Sequence, residues 1–349
     1  MAEVALCSNC FQDQGLRLDA EQIGAIESSV CPNCGSTTGS KLNASLVELL
    51  ADRFFMWGTI HRCEYGAAPA VQFNRHQTTS ISVSPWLQRD IRLIEQAIGV
   101  GFFYYGPRLW MVGEVEPLKA LQQPASRASV IERILTEYRA KALKTAEPLY
   151  RIRKHPKKPD DVGEYDSPPL GLTGIGRFDS PDFPVMYCSQ DLPVCVDECR
   201  ATAEDEIYVA TLTPVRDLKL LDLSVLLEEE HVTEFESLDM AVYMLFLAGK
   251  HSYEITRDIA RAVHTAGLDG IVYPSYYSLL RTGAIPFETT YGISNRRFPQ
   301  LRDRERAKTI SNLALFGRPI DGGTLHVRSI NKLIISRVGY NFHFGPMAW

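Results

Sequence analysis

The chain of 349 residues is long enough for two or three domains. Hydrophobic residues make up 45% of it, charged residues 23%, and the net charge is −5. This balance argues against a general polyanion-binding protein, which would carry an excess of basic residues. It does not exclude a local basic groove, for which the basic runs 151–158 and 296–308 are candidates. Such runs are more typical of solvated loops and helix faces.

The beginning of the chain lacks the apolar core of a secretion signal. The longest apolar stretch of the whole chain, residues 240–249, is far shorter than the roughly 20 residues needed to cross a bilayer. We therefore predict a cytoplasmic protein without a membrane segment, and leave open whether it forms a homo-oligomer.

Two cysteine pairs near the start have the spacing of a metal site: Cys7-x2-Cys10 and Cys31-x2-Cys34. Each pair can grip one ion from a tight turn, and the hairpin between them would bring the pairs together. Disulfides or free thiols are the alternatives, and a cytosolic setting disfavours disulfides. We predict a zinc ribbon over residues 1–42. The acidic character of residues 11–30 favours a structural or docking role over nucleic-acid binding.

Residues 43–146 are predicted to form a mostly helical, regulatory domain. Helical periodicity covers residues 44–55, 85–99 and 128–143, with Pro85 at the start of the second helix and Gly99 at its end. Residues 66–84 between the first two helices are predicted to form a loop or a short hairpin.

A third domain, residues 147–349, is predicted to be catalytic. It opens with a Pro- and Gly-rich loop over residues 155–176. Strands are expected at 183–188, 206–215, 218–223 and 269–275, two more within 330–344, and helices at 191–202 and 252–267. Strands outnumber helices without regular alternation, which predicts an α+β fold with a mainly antiparallel sheet. Of the four remaining cysteines, Cys188, Cys195 and Cys199 are interpreted as core residues rather than metal ligands, and Cys63 is too isolated to assign.

Short motifs in this third domain follow one another in a specific order: Leu149-Tyr150-Arg151, Gly176-Arg177-Phe178-Asp179, Val185-Met186-Tyr187, Glu198, Tyr273-Pro274-Ser275 and Asn312-Leu313-Ala314-Leu315-Phe316. In this order they resemble the RES family, named for an arginine, a glutamate and a serine. The resemblance covers roughly residues 149–346. The chain departs from the family pattern at Asp179, where an asparagine is usual, and in the long basic insertion between Ser275 and Asn312.

The resemblance implies an ADP-ribosyltransferase-like fold and an enzyme that cleaves the bond between nicotinamide and ribose in NAD. It also implies a toxin whose active site an antitoxin or another regulatory protein covers. The residues suit this chemistry, because the transition state is oxocarbenium-like and a carboxylate such as Glu198 can stabilise its positive charge.

Further roles are expected for the other motif residues. Arg151 and Arg177 would grip the diphosphate, Tyr187 would stack on or hydrogen-bond to the substrate, and Ser275 and Asn312 would hold the ribose or diphosphate. Of these, Arg151, Tyr187 and Ser275 are predicted to act in catalysis together with Glu198. Taken singly, each of these residues would more often be a surface or core residue.

We therefore predict an NAD-consuming toxin or defence effector, an NAD glycohydrolase or phosphorylase with water or phosphate as the acceptor. One alternative is an ADP-ribosyltransferase that modifies a protein or a nucleic acid. The other is a non-catalytic zinc-ribbon adaptor that only binds a nucleotide.

Overall fold

The computed structural model describes residues 3–105, 115–172, 174, 176–284, 288–290, 293–339 and 341–347. The chain divides into two compact units. The described parts of residues 1–63, 67–109 and 340–349 form the first unit, and those of residues 64–66 and 110–339 form the second. Whether residues 1–42 and 43–146 fold as separate domains stays a prediction.

The first unit combines short strands with helices. Its helices are Gln14–Ile23 (α1), Ala44–Ala51 (α2) and Pro85–Ile98 (α3). The strands in this part of the chain are Val4–Cys7 (β1), Lys41–Asn43 (β2), Ile60–Cys63 (β3), Gly66–Pro69 (β4), Val71–Asn74 (β5) and Gly101–Tyr104 (β6). The predicted helix limits are confirmed at α3, which has Pro85 in its first turn and a left-handed Gly99 as its C-cap.

One apolar cluster runs through the first unit. It joins the cysteines of the predicted ribbon, such as Cys7 and Cys31, to Phe54, Phe102 and Ile91 in the segments that follow. The ribbon therefore shares its core with the rest of this unit.

A large sheet organises the second unit. Its strands are Ala140–Leu143 (β7), Leu149–Lys154 (β8), Val185–Ser189 (β9), Ile207–Pro214 (β10), Leu218–Asp222 (β11), Gly270–Pro274 (β12), Ser311–Phe316 (β15) and Leu325–Leu333 (β16). A separate small pair is formed by Thr289–Thr290 (β13) and Ile293–Ser294 (β14). The order in the sheet is β16-β10-β8-β9-β15-β12-β11-β7. All pairs are antiparallel except β11 with β12, which confirms the predicted α+β class.

Helices cover one face of this sheet. The helices of this unit are Glu116–Gln122 (α4), Pro124–Glu137 (α5), Leu192–Glu198 (α6), Leu238–Leu247 (α7), Tyr253–Thr265 (α8), Ser278–Thr282 (α9) and Arg302–Ala307 (α10). Ile134 of α5, Leu245 of α7 and Ile259 of α8 pack in one cluster with Ile271 and Ala314 of the sheet. Their apolar residues recur at helical spacing, so each helix buries one face against the strands.

Two sequence predictions differ from the structure. Residues 139–143 were predicted to continue a helix, but Ala140–Leu143 is a strand that pairs with the sheet edge at β11. Residues 330–344 were predicted to hold two strands, but β16 ends at Leu333 and no strand follows in the described residues 334–339 and 341–347. The partner strand β10 begins at Ile207, which pairs with Leu333, so β10 offers no residue to pair with the chain beyond Leu333.

The long loop before β9 is confirmed. Between β8 and β9, the described residues contain only a short 3-10 helix at Val162–Tyr165 as regular structure. Among the described helices none combines the length and the apolar character that a membrane crossing requires.

Candidate active site and metal centre

Three predicted site residues meet at one end of the sheet. Strand β15 lies between β9 and β12 and is antiparallel to both, so its beginning meets their ends. Asn312 pairs with Ser189 on one side and with Tyr273 on the other. Ser275 directly follows β12, and helix α6, which ends at Glu198, follows β9.

The carboxylate of Glu198 is the meeting point of this group. Its Oε1 accepts a hydrogen bond from the hydroxyl of Ser275 at 2.6 Å and another from the amide of Asn312, also at 2.6 Å. Both donors are 4% exposed, whereas Glu198 itself is exposed. Among the described residues no hydrogen bond is made to its second oxygen, Oε2. The buried Ser275 and Asn312 therefore fix Oε1 of Glu198, while Oε2 of this exposed side chain stays available.

Helix α6 delivers Glu198 to this position. Its N-cap, Asp191, accepts a hydrogen bond from the backbone N–H of Val194, and Pro193 occupies the first turn. Val194 and Cys195 are buried against the sheet, so the short helix is anchored along its length.

Tyr187 is held inside the loop that precedes its own strand. Its hydroxyl donates to Oδ1 of Asp179 at 2.7 Å and accepts from the backbone N–H of Phe178 at 2.8 Å and of Asp179 at 3.2 Å. Burial and the Asp179 carboxylate raise the pKa of Tyr187. The unusual Asp179 is thus turned toward Tyr187 and also accepts from the backbone N–H of Gly174.

Gly176 is needed where this loop passes over Tyr187. A Cβ added there would lie 2.0 Å from Oδ1 of Asp179 and 2.6 Å from the hydroxyl of Tyr187. Any larger residue would therefore push the loop away from the tyrosine.

Arg177 closes the loop against the end of helix α7. Its guanidinium donates to the carbonyls of Leu245 and Ala248 at 3.1 and 3.0 Å and lies over the ring of Tyr253 at 5.1 Å. Burial raises the pKa of Tyr273, and Glu198 and Tyr187 raise it further, while Arg177 lowers it.

Arg151 is buried beneath β9. It is 6% exposed and donates to the carbonyls of Tyr187 at 2.6 Å and of Asp166 at 3.1 Å. Its Nε is buried without a hydrogen-bond partner. Burial and the neighbouring Arg153 both lower the pKa of Arg151, although a guanidinium keeps its charge in proteins.

Two further arginines were not singled out from the sequence. Arg153, two residues along β8 from Arg151, donates to the same carbonyl of Asp166 at 2.6 Å. Arg257 of α8 donates to the carbonyls of Gly174 and Gly176 at 2.8 and 3.0 Å. The alternation of Arg151 and Arg153 was a usable signal, since residues two apart on a strand share a face.

The four arginines share one property. Arg151, Arg153, Arg177 and Arg257 take part in no ion pair with a described carboxylate, and each donates to backbone carbonyls instead. The ion pairs that are present in the described part of the chain involve other residues. Within the described ranges, these four arginines thus place positive charge next to the loop before β9 without forming a salt bridge to an acidic side chain.

The basic insertion before β15 has the opposite character. Its cations pair with acids: Arg296 with Asp239, Arg297 with Glu229, Arg302 and Arg306 with Glu228, Arg304 with Glu288, and Lys308 with Glu288 and Glu305. The Arg296–Asp239 pair is buried, with two contacts of 2.8 Å. The insertion is fastened to the second unit and presents little unpaired charge.

The four predicted metal ligands form a cluster in the first unit. One sulfur from each of Cys7, Cys10, Cys31 and Cys34 lies within 4.8 Å of the others. The sulfur separations of 3.5 Å (Cys7–Cys34), 3.6 Å (Cys10–Cys31) and 3.9 Å (Cys7–Cys10) are too long for disulfides. They agree with the separation of about 3.8 Å that follows from tetrahedral bonds of ~2.3 Å to zinc. The donor set therefore fits Zn²⁺.

Asn33 supports this centre from outside. Its amide donates to the sulfur of Cys10 at 3.2 Å, which orients a thiolate as outer-shell donors do in metal sites. The other described cysteines form no such group with acidic or histidine side chains.

Comparison with known proteins finds a similarity for part of the second unit. The family model "RES domain" matches residues 148–293, which include Arg151, Arg177, Tyr187, Glu198 and Ser275. No curated protein matches the chain.

One similar solved structure is the crystal structure of the M. tuberculosis MbcT–MbcA toxin–antitoxin complex. The similarity covers 58% of this chain and 91% of that chain, at 16% identity and a TM-score of 0.32. The matched residues 148–293 are less than half of the chain, and the order of the motifs and the mainly antiparallel sheet agree with a similarity of this part to the RES domain.

Proposed function

We propose that the second unit is an enzyme that consumes NAD by cleaving the bond between nicotinamide and ribose. The observation that carries this proposal is the exposed carboxylate of Glu198, fixed at one oxygen by Ser275 and Asn312. The RES-domain match supports NAD as the substrate.

The carboxylate suits a reaction that develops positive charge. As the C–N bond breaks, its electron pair leaves with nicotinamide, and the ribose ring becomes oxocarbenium-like. A carboxylate already held in place stabilises this charge without having to reorganise. Because Ser275 and Asn312 occupy Oε1, Oε2 is the oxygen available to the ribose.

The arginines suit the diphosphate. A buried guanidinium without an acidic partner costs several kcal/mol, and a phosphate group would recover part of that cost. Tyr150, the residue before Arg151, pairs with Ser189, and Ser189 pairs with Asn312, so the side chain of Arg151 leaves the face of the sheet opposite to that of Asn312. From there Arg151 would act on the diphosphate through its charge. Arg177 would have to exchange backbone carbonyls for phosphate oxygens, or act through its charge.

Nicotinamide release is the direct test. Purified protein is incubated with NAD, with and without inorganic phosphate, and the products are identified by chromatography and mass. We expect nicotinamide with ADP-ribose, or with its 1″-phosphate when phosphate is the acceptor. Glu198→Gln should lower turnover by about 10²–10³-fold or more. The control Glu204→Gln, at an exposed acid a few residues away, should retain it.

Other products would change the conclusion. A mass increment of ADP-ribose on a macromolecule would favour a transferase. Intact NAD with wild-type protein, or full activity of Glu198→Gln, would overturn the proposal.

A role as a toxin or defence effector follows if NAD is consumed in the cell. Induced expression of the wild-type chain in a bacterial host should then lower cellular NAD and arrest growth, whereas the Glu198→Gln chain should do neither. An antitoxin or other regulatory protein would restore growth when co-expressed. Unchanged NAD levels with soluble wild-type protein would contradict this role.

A further inference from the structure

Arg200 has an unusual backbone conformation directly after Glu198. Its φ is +48°, in the left-handed region. Its N–H donates to the carbonyl of Asp197 at 2.9 Å, and the N–H of Ala201 donates to that of Val196 at 3.2 Å. This is a Schellman ending of helix α6, a position at which glycine is usual. An arginine here carries a strain of about 1–3 kcal/mol that glycine would not.

The side chain of Arg200 is directed by a tyrosine. Its Nε donates to the hydroxyl of Tyr277 at 3.2 Å, and the hydrogen bond to Tyr277 raises the pKa of Arg200. The backbone N–H of Tyr277 in turn donates to the hydroxyl of Ser275 at 3.1 Å. Ser275 is the group that donates to Glu198. Tyr277 therefore contacts the exposed guanidinium through its hydroxyl and, through its backbone N–H, the serine that holds the carboxylate.

Arg200 does not neutralise the nearby acid. No ion pair joins it to Glu198 or to any other carboxylate within the described ranges, and its side chain is exposed. With only Nε engaged by Tyr277, its terminal N–H groups remain for a ligand. The neighbouring Tyr276 is 44% exposed and packs edge-on against Tyr277 at 5.5 Å. A cation with aromatic neighbours is thus connected, through Tyr277 and Ser275, to the residues that hold the carboxylate of Glu198.

We infer that Arg200, oriented by Tyr277, binds a phosphate group beside Glu198. The terminal N–H groups of a guanidinium match two oxygens of a phosphate, and the cation offsets repulsion between that phosphate and the carboxylate. This inference rests on the proposed function.

The phosphate has two possible sources: the diphosphate of NAD, or inorganic phosphate as the acceptor. In the second case a phosphate oxygen bonds to C1 of the ribose as the C–N bond breaks and its electron pair leaves with nicotinamide.

The backbone offers a clean test. Arg200→Gly removes the guanidinium, suits the positive φ and keeps the helix ending, so a loss of function would not reflect unfolding. Arg200→Lys keeps a charge without the planar fork, and Tyr277→Phe removes the orienting hydroxyl. His231→Gly is the matched control, because His231 is also an exposed residue with a positive φ, of +56°.

Nicotinamide release is measured while NAD and inorganic phosphate are varied separately. If the guanidinium binds the NAD diphosphate, Arg200→Gly should raise the KM for NAD about tenfold with water or phosphate as acceptor, equivalent to about 1.4 kcal/mol. If it binds the acceptor, only the KM for phosphate should rise and hydrolysis should be unchanged. Tyr277→Phe should show the same pattern more weakly, and His231→Gly should match wild type. Unchanged KM values for both ligands in Arg200→Gly would overturn the inference.

Direct binding separates this inference from the proposed function. Calorimetry with inorganic phosphate and with ADP-ribose compares wild type and Arg200→Gly even if wild type does not cleave NAD. A tenfold weaker affinity for either ligand would support the phosphate site, and equal affinities for both would overturn it.

Discussion

The side-chain amide of Asn312 lies 2.6 Å from Oε1 of Glu198, although 114 residues separate the two in the chain. The hydroxyl of Ser275 reaches the same oxygen. Because both donors are buried while the acceptor is exposed, the carboxylate is oriented by the sheet end rather than by its own helix.

Asn312→Asp replaces this donor by a second carboxylate of the same size. Two acidic groups at 2.6 Å repel each other, so we expect kcat/KM for NAD to fall at least about tenfold at neutral pH. Circular dichroism should show an unchanged fold. Asn331→Asp, at an exposed asparagine on β16, is the control and should leave the kinetics unaltered. Equal kinetics for both variants would argue against a role for Asn312.

Tyr187→Phe tests the hydrogen bonds between the Tyr187 hydroxyl and the loop before β9. The change leaves Asp179 and two backbone N–H groups without the hydroxyl that they contact. We expect the free energy of unfolding to fall by about 1–3 kcal/mol, measured by urea denaturation. Tyr208→Phe, which loses a hydrogen bond to the exposed Glu206, should change it by less than about 0.5 kcal/mol. Similar losses of unfolding free energy in the two variants would show that the hydrogen bonds of Tyr187 do not stabilise the loop.

Gly176→Ala should displace the same loop by steric overlap rather than by loss of a hydrogen bond. Because the new Cβ would meet Asp179 and Tyr187, we expect a loss of roughly 1–3 kcal/mol in stability, together with weaker NAD binding if Arg177 moves with the loop. Gly339→Ala is the control, since nothing lies near its added Cβ. A thermal melt and an NAD titration check the two effects, and an unaffected Gly176→Ala protein would contradict the close approach.

The sequence anticipated the carboxylate centre better than its surroundings. The order of motifs named Glu198, Ser275 and Asn312, and the structure brings these three together. It also named Arg151 and Arg177, but not that both donate to backbone carbonyls, because such contacts depend on how the loop before β9 folds back. Arg257 and Arg200 gave no local signal. Their positions become informative only when helix α8 and the end of α6 are seen beside that loop and Tyr277.

Removal of zinc should destabilise the whole first unit. Since Cys7, Cys10 and Cys31 belong to the same apolar cluster as Phe54 and Phe102, loss of the metal opens that shared core rather than a separate appendage. A chelator, or Cys31→Ser, should remove one bound Zn²⁺ per chain and lower the melting temperature of this unit by more than about 5 °C. Metal analysis and circular dichroism check this, and re-addition of Zn²⁺ should restore the chelated protein. Metal-free protein with an unchanged melt would contradict it.

Asp239→Asn tests the attachment of the basic insertion. The change leaves the buried guanidinium of Arg296 without its ionic partner, which should cost about 3–5 kcal/mol. Glu228→Gln, which loses exposed pairs with Arg302 and Arg306, should cost at most about 1 kcal/mol. Urea denaturation distinguishes them, and equal stability of the two variants would show that burial of the pair is unimportant.

The pairing of the insertion also sets how the protein responds to ionic strength. A polyanion that docked on residues 296–308 would first have to displace the acids already bound there. Salt at high concentration would screen the exposed members of these pairs and leave the buried Arg296–Asp239 pair largely intact. We therefore expect added salt to weaken the solvent-facing ion pairs of residues 296–308, while the buried Arg296–Asp239 pair keeps the segment attached. An effect of salt on this segment would then report on these pairs and not on the release of a bound nucleic acid.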